Sequence, residues 1–467
     1  MKQCTIVKET SLSGIGLHLG KIVNISFKPA EVNHGIKFVR VDLEDKPVIP
    51  ADISRVISTN RGTTLQTGTA QVHTVEHVMS GLMGVGIDNL IIELDGPEIP
   101  ILDGSAILFV DAILAAGVLA QDAEREVFEI MEPISFKDEL SGTELVALPD
   151  DEFNITTMID FNSPVLGQQY ATLHHMSDYV HEIAACRTFV FLHELEKLIN
   201  QGLIKGGDLD NAVVIVDRKV DEAQLADLAA KLNKPNVKVE KEGVLNTTDL
   251  HYKNEPARHK LLDVIGDLAL IGRPIKGKIV ATKPGHFANI EFAKILKKHA
   301  VEQKKNMGIP RYDPTQAPKM NINEIMDMLP HRYPFLLVDK VLEISKDSIL
   351  GLKNVTFNEG FFQGHFPNNP VFPGVLQIEA MAQTGGIFAL SVQEDSKGWD
   401  TYFLKIENCK FKQKVMPGDA LLIKCQLLSP IRRGIVQMQG TIFVGNKIVC
   451  EAELTAQIVK RTPHNII

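Results

Sequence analysis

His259 and Asp263 stand four residues apart in Pro256-Ala-Arg-His-Lys-Leu-Leu-Asp-Val-Ile-Gly-Asp-Leu268. At ~100° per residue, Leu261, Val264, Ile265 and Leu268 fall on one side of a helix, while His259, Lys260, Asp263 and Asp267 gather on the other. An imidazole and a carboxylate so placed can aim at one point. That is half of a metal site, short of one more nitrogen ligand; an ordinary amphipathic helix with a solvated polar face satisfies the same pattern. His77, at the end of His-Thr-Val-Glu-His77, is the best candidate for the missing ligand. Together with His73 it also spells H-x-x-E-H, an inverted zinc-protease pattern in which both histidines would bind metal. A second anomaly is Glu379, set among Ile378, Ala380, Met381 and Ala382. Fully buried there as an unpaired ion it would cost several kcal/mol, so it is either partnered or functional.

The elements that must position these residues follow from hydrophobic periodicity. Residues 1–125 alternate as strands at 22–27 and 35–41, continue as a helix over 74–85 and a strand over 89–94, then pass a Pro/Gly-rich turn to a helix ending near Gly117. Residues 126–301 repeat the mixture, with a strand at 153–161, a helix over 188–200 and the His259 helix. A Lys/Asp/Glu-rich stretch at about 218–245 reads as a surface insertion containing an amphipathic helix over 221–232. Residues 302–318 are charged and proline-bearing without periodicity, as in a linker. From 319 the grammar changes. A short helix at 322–328 and a strand near 348–355 precede an apolar helix to about Leu390, followed by strands at 402–406, 409–415, 420–428, 434–444 and 447–459. One apolar helix followed by a run of strands implies a sheet curled around that helix.

The 467 residues suffice for about three domains, and 44% hydrophobic with 23% charged residues is a globular balance. A net charge of -9 gives no reason to expect nucleic-acid binding. The five cysteines are scattered without a CxxC, which argues against a disulfide framework and a thiolate zinc site and fits a reducing compartment. The first ten residues lack the apolar core of a signal peptide, and the run over 374–392 is too polar for a bilayer span. These features predict a cytoplasmic protein that is not transmembrane.

Six blocks in order, Ser13-Gly-Ile-Gly-Leu-His-Leu-Gly20, Thr74-Val-Glu-His77, residues 97–106, Cys186-Arg-Thr-Phe189, residues 259–267 and Gly285-His286, resemble the zinc-dependent UDP-3-O-acyl-N-acetylglucosamine deacetylases of lipid A synthesis. The resemblance covers roughly residues 1–300 and implies an α+β fold of two α/β-sandwich layers with the site between them. It implies His77, His259 and Asp263 as ligands of one Zn2+, with a fourth position left for water. It further implies Glu76 as general base and His286 as a cationic group protonating the leaving amine. Asp267 would orient His286, the Thr188 hydroxyl would face the oxyanion, and Lys260 or Lys283 would meet the nucleotide diphosphate. On that pattern His73 and His18 are structural, and His174, His175 and His181 belong to surface or loop.

Gly364-His-Phe-Pro-Asn-Asn-Pro-Val-Phe-Pro-Gly-Val-Leu-Gln-Ile-Glu-Ala-Met-Ala-Gln383, with residues 329–340 before it and 410–419 after, resembles the hot-dog-fold 3-hydroxyacyl-[acyl-carrier-protein] dehydratases. Dehydration of a 3-hydroxyacyl thioester needs a base for the α-proton, an acid for the hydroxyl and polarisation of the carbonyl. His365, Glu379 and the backbone N-H of Gly374 suit these roles in turn. In the family the His and Glu come from different subunits, which implies a homo-oligomer of at least a dimer and, by the family's trimer of dimers, a hexamer. Lys410, Lys412 and Lys414 alternate along an expected strand with Arg432 and Arg433 nearby; this is either a solvated edge or a dock for the acidic carrier protein and its phosphopantetheine. The expected function is therefore bifunctional: N-deacetylation of a UDP-sugar bearing a hydroxyacyl chain, and dehydration of hydroxyacyl carrier protein. The competing readings are a zinc peptidase fused to a hot-dog thioesterase, and a chain in which one half only binds acyl groups.

Overall fold

The structure, a computed structural model, describes residues 1–200, 205, 211–217, 243–245, 249–306, 308–393 and 398–460. The helix expected over 221–232 lies outside the described residues. Two compact units divide the chain, Met1–Lys304 and Lys305–Ile467.

The first unit contains two five-stranded sheets. One runs in the order Thr10–Ile15, Ile22–Pro29, Leu90–Leu94, Ile36–Arg40, Val48–Pro50; the other in the order Ile134–Asp138, Thr143–Leu148, Lys278–Thr282, Asn154–Asp160, Gln168–Leu173. Alternation along their strands leaves one face apolar, as in Ile22–Pro29, where Val23, Ile25 and Phe27 are buried. The helices Glu76–Gly84, Ile107–Ala116, Glu255–Ala269 and His286–Asn306 belong to the same unit, and residues of both sheets share one apolar core with them. Glu76–Gly84 and Glu255–Ala269 pack closely enough that a Cβ on Gly266 would lie 2.0 Å from the Glu76 carbonyl oxygen. Only glycine permits that approach, and it brings the His77 helix onto the His259 helix.

Two local readings change. The stretch expected to be helical from 188 begins as a strand, Phe189–Phe191, and becomes helical only at Leu192. Its parallel partner is Val213–Ile215, a pairing that local periodicity does not register. The helix His286–Asn306 runs into the stretch read as linker.

The second unit is a six-stranded antiparallel sheet in the order Lys340–Ile344, Ser348–Asn354, Ala420–Leu427, Ile435–Val444, Lys447–Lys460, Trp399–Phe411, packed against the helix Gly374–Ser391. Gly440 lets the helix come close, since a Cβ there would sit 2.6 Å from Met381 Sδ. The two strands expected at 402–406 and 409–415 are one strand, Trp399–Phe411, with irregularities between Phe403 and Lys405 and between Glu407 and Lys410. Those bulges break the sequence alternation without ending the pairing. Lys340–Ile344, too short to stand out from its neighbours, is a further strand.

Candidate functional site

The polar stripe of Glu255–Ala269 faces inward, so the solvated-face reading does not hold: His259, Asp263 and Asp267 are all buried. His77, His259 and Asp263 each offer a ligand atom, all within 4.8 Å of one another. His259 Nε2 lies 3.4 Å and His77 Nε2 3.7 Å from Asp263 Oδ1. Because a carbonyl can only accept, the 3.0 Å contact from His259 Nδ1 to the Cys186 carbonyl places the proton on Nδ1 and the lone pair on Nε2, toward the cluster. Burial, followed by the neighbouring His259, lowers the pKa of His77 to about 3; burial likewise lowers that of His259. Both rings are therefore neutral and able to bind metal. Burial works against the charge of Asp263, but its cationic surroundings, the Lys260 ammonium foremost, hold its carboxyl well below the usual range. Its Oδ2 accepts from Lys260 Nζ at 2.7 Å, while its Oδ1 is buried without a hydrogen-bond partner. An ionised oxygen left bare between two neutral imidazole nitrogens is an electrostatic deficit that a divalent cation would fill.

Around this cradle stand the groups that could move protons. Glu76 Oε2 accepts the Thr63 amide at 2.9 Å, and burial pushes the Glu76 pKa up to about 7. His286 Nε2 lies 3.9 Å from Glu76 Oε1, and its Nδ1 is 2.9 Å from Asp267 Oδ2. Burial alone would discharge His286, but Asp267 and Glu76 outweigh it and raise its pKa to about 9. Asp267 is held in turn by Thr63 Oγ1 at 2.6 Å and Asn289 Nδ2 at 2.9 Å. Thr188 follows the Cys186 carbonyl by two residues, and its own amide donates to Gly104 at 2.8 Å. Lys283 Nζ lies 3.2 Å from Asp160 Oδ2.

His73 stands apart from the three-residue cluster; its Nδ1 lies 3.0 Å from Thr64 Oγ1. The turn at His18 is held by backbone bonds from His18 and Leu19 to the buried Glu98, at 2.8 and 2.9 Å. His174, His175 and His181 are exposed. Sequence reasoning missed Thr63, Asn289 and the buried pair Arg187–Glu255. In that pair Glu255 Oε1 takes both the amide and Nε of Arg187, at 3.0 and 2.9 Å, and so fixes the residue after Cys186. Arg187 lies within the Cys186-Arg-Thr-Phe189 block, the sequence signal that marks it.

In the second unit, His365 Nδ1 donates to the Val371 carbonyl at 2.7 Å, which leaves Nε2 as the free lone pair. Glu379 is half buried rather than sealed in apolar surroundings. Its Oε1 accepts from Gln383 Nε2 at 2.9 Å and lies 3.6 Å from His331 Nε2. It lines an apolar pocket with His331, Gln383, Phe403 and Met438; His365 is not among the lining residues. His331 and Gln383 both lay in quoted motifs but received no role from the sequence. Gly374 opens the helix, and a Cβ on it would meet the Phe411 ring at 2.9 Å. The lysine alternation stops early: the strand ends at Phe411, and Lys410 and Lys412 share Glu451, at 3.8 and 2.7 Å.

Fold and site together define a metallohydrolase joined to a hot-dog-fold domain. The profile of UDP-3-O-acyl N-acetylglycosamine deacetylase, LpxC, matches residues 3–227 and 223–298, and that of the FabA-like domain matches residues 329–453. A protein of Bacteroides thetaiotaomicron named bifunctional enzyme LpxC/FabZ is 49% identical over 98% of this chain and 99% of its own length. Proteins of the same name from Porphyromonas gingivalis and Chlorobaculum tepidum are 47% and 46% identical, each over 98% of this chain and 99% of its own length. The UDP-3-O-acyl-N-acetylglucosamine deacetylase of Myxococcus xanthus is 42% identical over 62% of this chain and 83% of its own length. The chain belongs to the bifunctional LpxC/FabZ family, a deacetylase and a dehydratase in one polypeptide.

Proposed function

We propose that residues 1–301 remove the N-acetyl group of a UDP-3-O-(3-hydroxyacyl)-N-acetylglucosamine at a site holding one Zn2+, and that residues 319–467 convert 3-hydroxyacyl-[acyl-carrier-protein] to the trans-2-enoyl form. The observation that carries the first half is the convergence of His77, His259 and Asp263 on the bare Asp263 oxygen. Two neutral imidazoles and one carboxylate suit zinc, with ferrous iron the other cation such a set accepts. A cation held by these three residues would supply Lewis acidity to a water and to the acetamide carbonyl.

The chain's own groups supply the rest. Glu76, in its ionised form, takes the proton of the attacking water. His286, kept cationic by Asp267, stabilises the developing negative charge and gives a proton to the departing amine. Thr188 contributes a hydroxyl at the oxyanion. Lys260 is committed to Asp263 and thus acts on the ligand carboxylate, and Lys283, whose Nζ pairs with Asp160, is the other cation for the diphosphate.

For dehydration, His365 Nε2 removes the α-proton, Glu379 protonates the leaving hydroxyl, and the Gly374 N-H with its helix dipole polarises the thioester carbonyl. His365 of one subunit meets Glu379 of another. Support for a dimer at least comes from the strand Trp399–Phe411; the hexamer is what the family resemblance implies. That strand is the sheet's edge and exposes Tyr402, Phe403, Leu404 and Ile406, apolar surface that a second copy would cover. Lys410, Lys412, Lys414, Arg432 and Arg433 would meet the carrier protein. Among the described residues no helix is long and apolar enough to cross a membrane, and we place the enzyme in the cytoplasm.

Both reactions assayed on the whole chain, on His259→Ala and on His365→Ala test this reading. Each substitution should abolish one activity and spare the other; retention of the targeted activity would refute that site.

A further inference from the structure

Lys353, the penultimate residue of the strand Ser348–Asn354, has its side chain only 5% exposed, a setting in which an unpartnered ammonium is costly. Its Nζ donates to Glu359 Oε1 at 3.1 Å and to the Asn354 carbonyl at 3.4 Å, and lies 5.5 Å from the centre of the Phe372 ring. Glu359 and Phe372 stand on opposite sides of His365 in the chain. On the upstream side, Glu359 Oε1 also accepts the Thr356 amide at 3.1 Å and precedes the short turn Gly360–Gln363. Within that turn the Phe361 carbonyl receives the His365 amide at 2.9 Å. On the downstream side, Phe372 is fully buried, edge-on to Phe361 at 5.4 Å, with its amide bonded to the Val415 carbonyl at 2.8 Å. It adjoins Val371, whose carbonyl accepts His365 Nδ1.

We propose that Lys353 is a positioning residue for dehydration: its buried ammonium ties together the two limbs of the loop that carries His365 and so fixes where that imidazole points. The inference rests on the reading of His365 as the base. Loop segments hold a side chain less firmly than helices or strands do, and a catalytic group displaced by ~1 Å can lose ~100-fold in rate. A shielded ion pair with a cation–π contact restrains such a loop far better than a solvated pair, which contributes little.

The test uses the full chain with Lys353→Met, Lys353→Arg, Glu359→Gln and the Lys353→Met/Glu359→Gln double variant, beside His365→Ala. Deacetylation is the internal control. Lys353→Met should lower the kcat of dehydration by ~10- to 100-fold with KM within ~2-fold of wild type, because the group displaced acts in the transition state rather than in binding. Lys353→Arg should recover part of the loss, and the double variant should be no worse than Lys353→Met, since both break one contact. A merely structural role would lower the melting temperature and leave kcat per folded molecule unchanged. That result, with His365→Ala inactive, overturns the positioning role and leaves the reading of His365 intact. Full activity in His365→Ala would instead overturn that reading and this inference with it. If Lys353→Met fails to fold, Glu359→Gln decides: it keeps an acceptor for the Thr356 amide, and an unchanged kcat there equally overturns the proposal.

Discussion

The metal cradle closes within a single chain, whereas the two groups we assign to dehydration, His365 and Glu379, are separately held. His77, His259 and Asp263 come from two helices pressed together at Gly266, and each is fixed by burial and by fitted neighbours. Glu379 instead borders an open pocket, and His365 sits on a loop outside that pocket's lining. The first site needs an ion to complete it; the second, in our reading, needs another copy of the chain. Two catalysts on one polypeptide therefore differ in what completes them, and perturbations should separate them.

The largest separation should come from His259→Ala. Removing a ligand should cost deacetylation more than the ~10- to 100-fold typical of groups that merely support a ligand, with dehydration unchanged in the same preparation. The opposite separation should follow from Leu404→Lys combined with Ile406→Lys on the exposed edge strand. Charge on that strand should dissociate the oligomer, seen as a smaller mass by light scattering, and remove most dehydration while deacetylation persists. Dehydration surviving in a monomer would show that one chain suffices.

A finer test concerns the proton carriers. In the proposed mechanism, deacetylation needs Glu76 ionised and His286 protonated. Glu76, with its pKa raised to about 7 by burial, supplies its base form above that value and loses it as pH falls. His286, raised to about 9 by Asp267 and Glu76 against burial, loses its proton as pH climbs through that value. The kcat/KM profile should be a bell with its alkaline limb near 9 and its acid limb at about 7 or lower, since a bound cation favours the ionised Glu76. Asp267→Asn should lower kcat by ~10- to 100-fold and draw the alkaline limb downward. Thr63→Val is the mildest change. It keeps the amide that holds Glu76 but removes the hydroxyl on Asp267, so about a 10-fold loss with the acid limb in place is expected, read from the same profile.

How far the sequence foretold these sites depended on distance along the chain. His259 and Asp263 were readable because helical spacing alone brings them together, and Glu379 because a carboxylate interrupts an apolar helix. Thr63 and Asn289 were not. They reach Asp267 from across the fold, and nothing near a threonine beside Gly62 or an asparagine in a long helix marks it as a partner. The strand Phe189–Phe191 was hidden for the same reason, its pairing being supplied by Val213–Ile215. The central helix and the later strands of the second unit were legible from composition, yet the long edge strand read as two because bulges disturb its alternation. The sequence left Glu379 as either partnered or functional; the pocket and the Gln383 and His331 contacts arise from packing that no local pattern encodes.

The most direct measurement is the metal content of the purified full-length protein, by elemental analysis, in wild type and in His77→Ala, His259→Ala and Asp263→Ala. One divalent ion per chain in wild type, lost from each variant while dehydration continues, is the result this account predicts. Retention of a full equivalent in any of the three variants would contradict it.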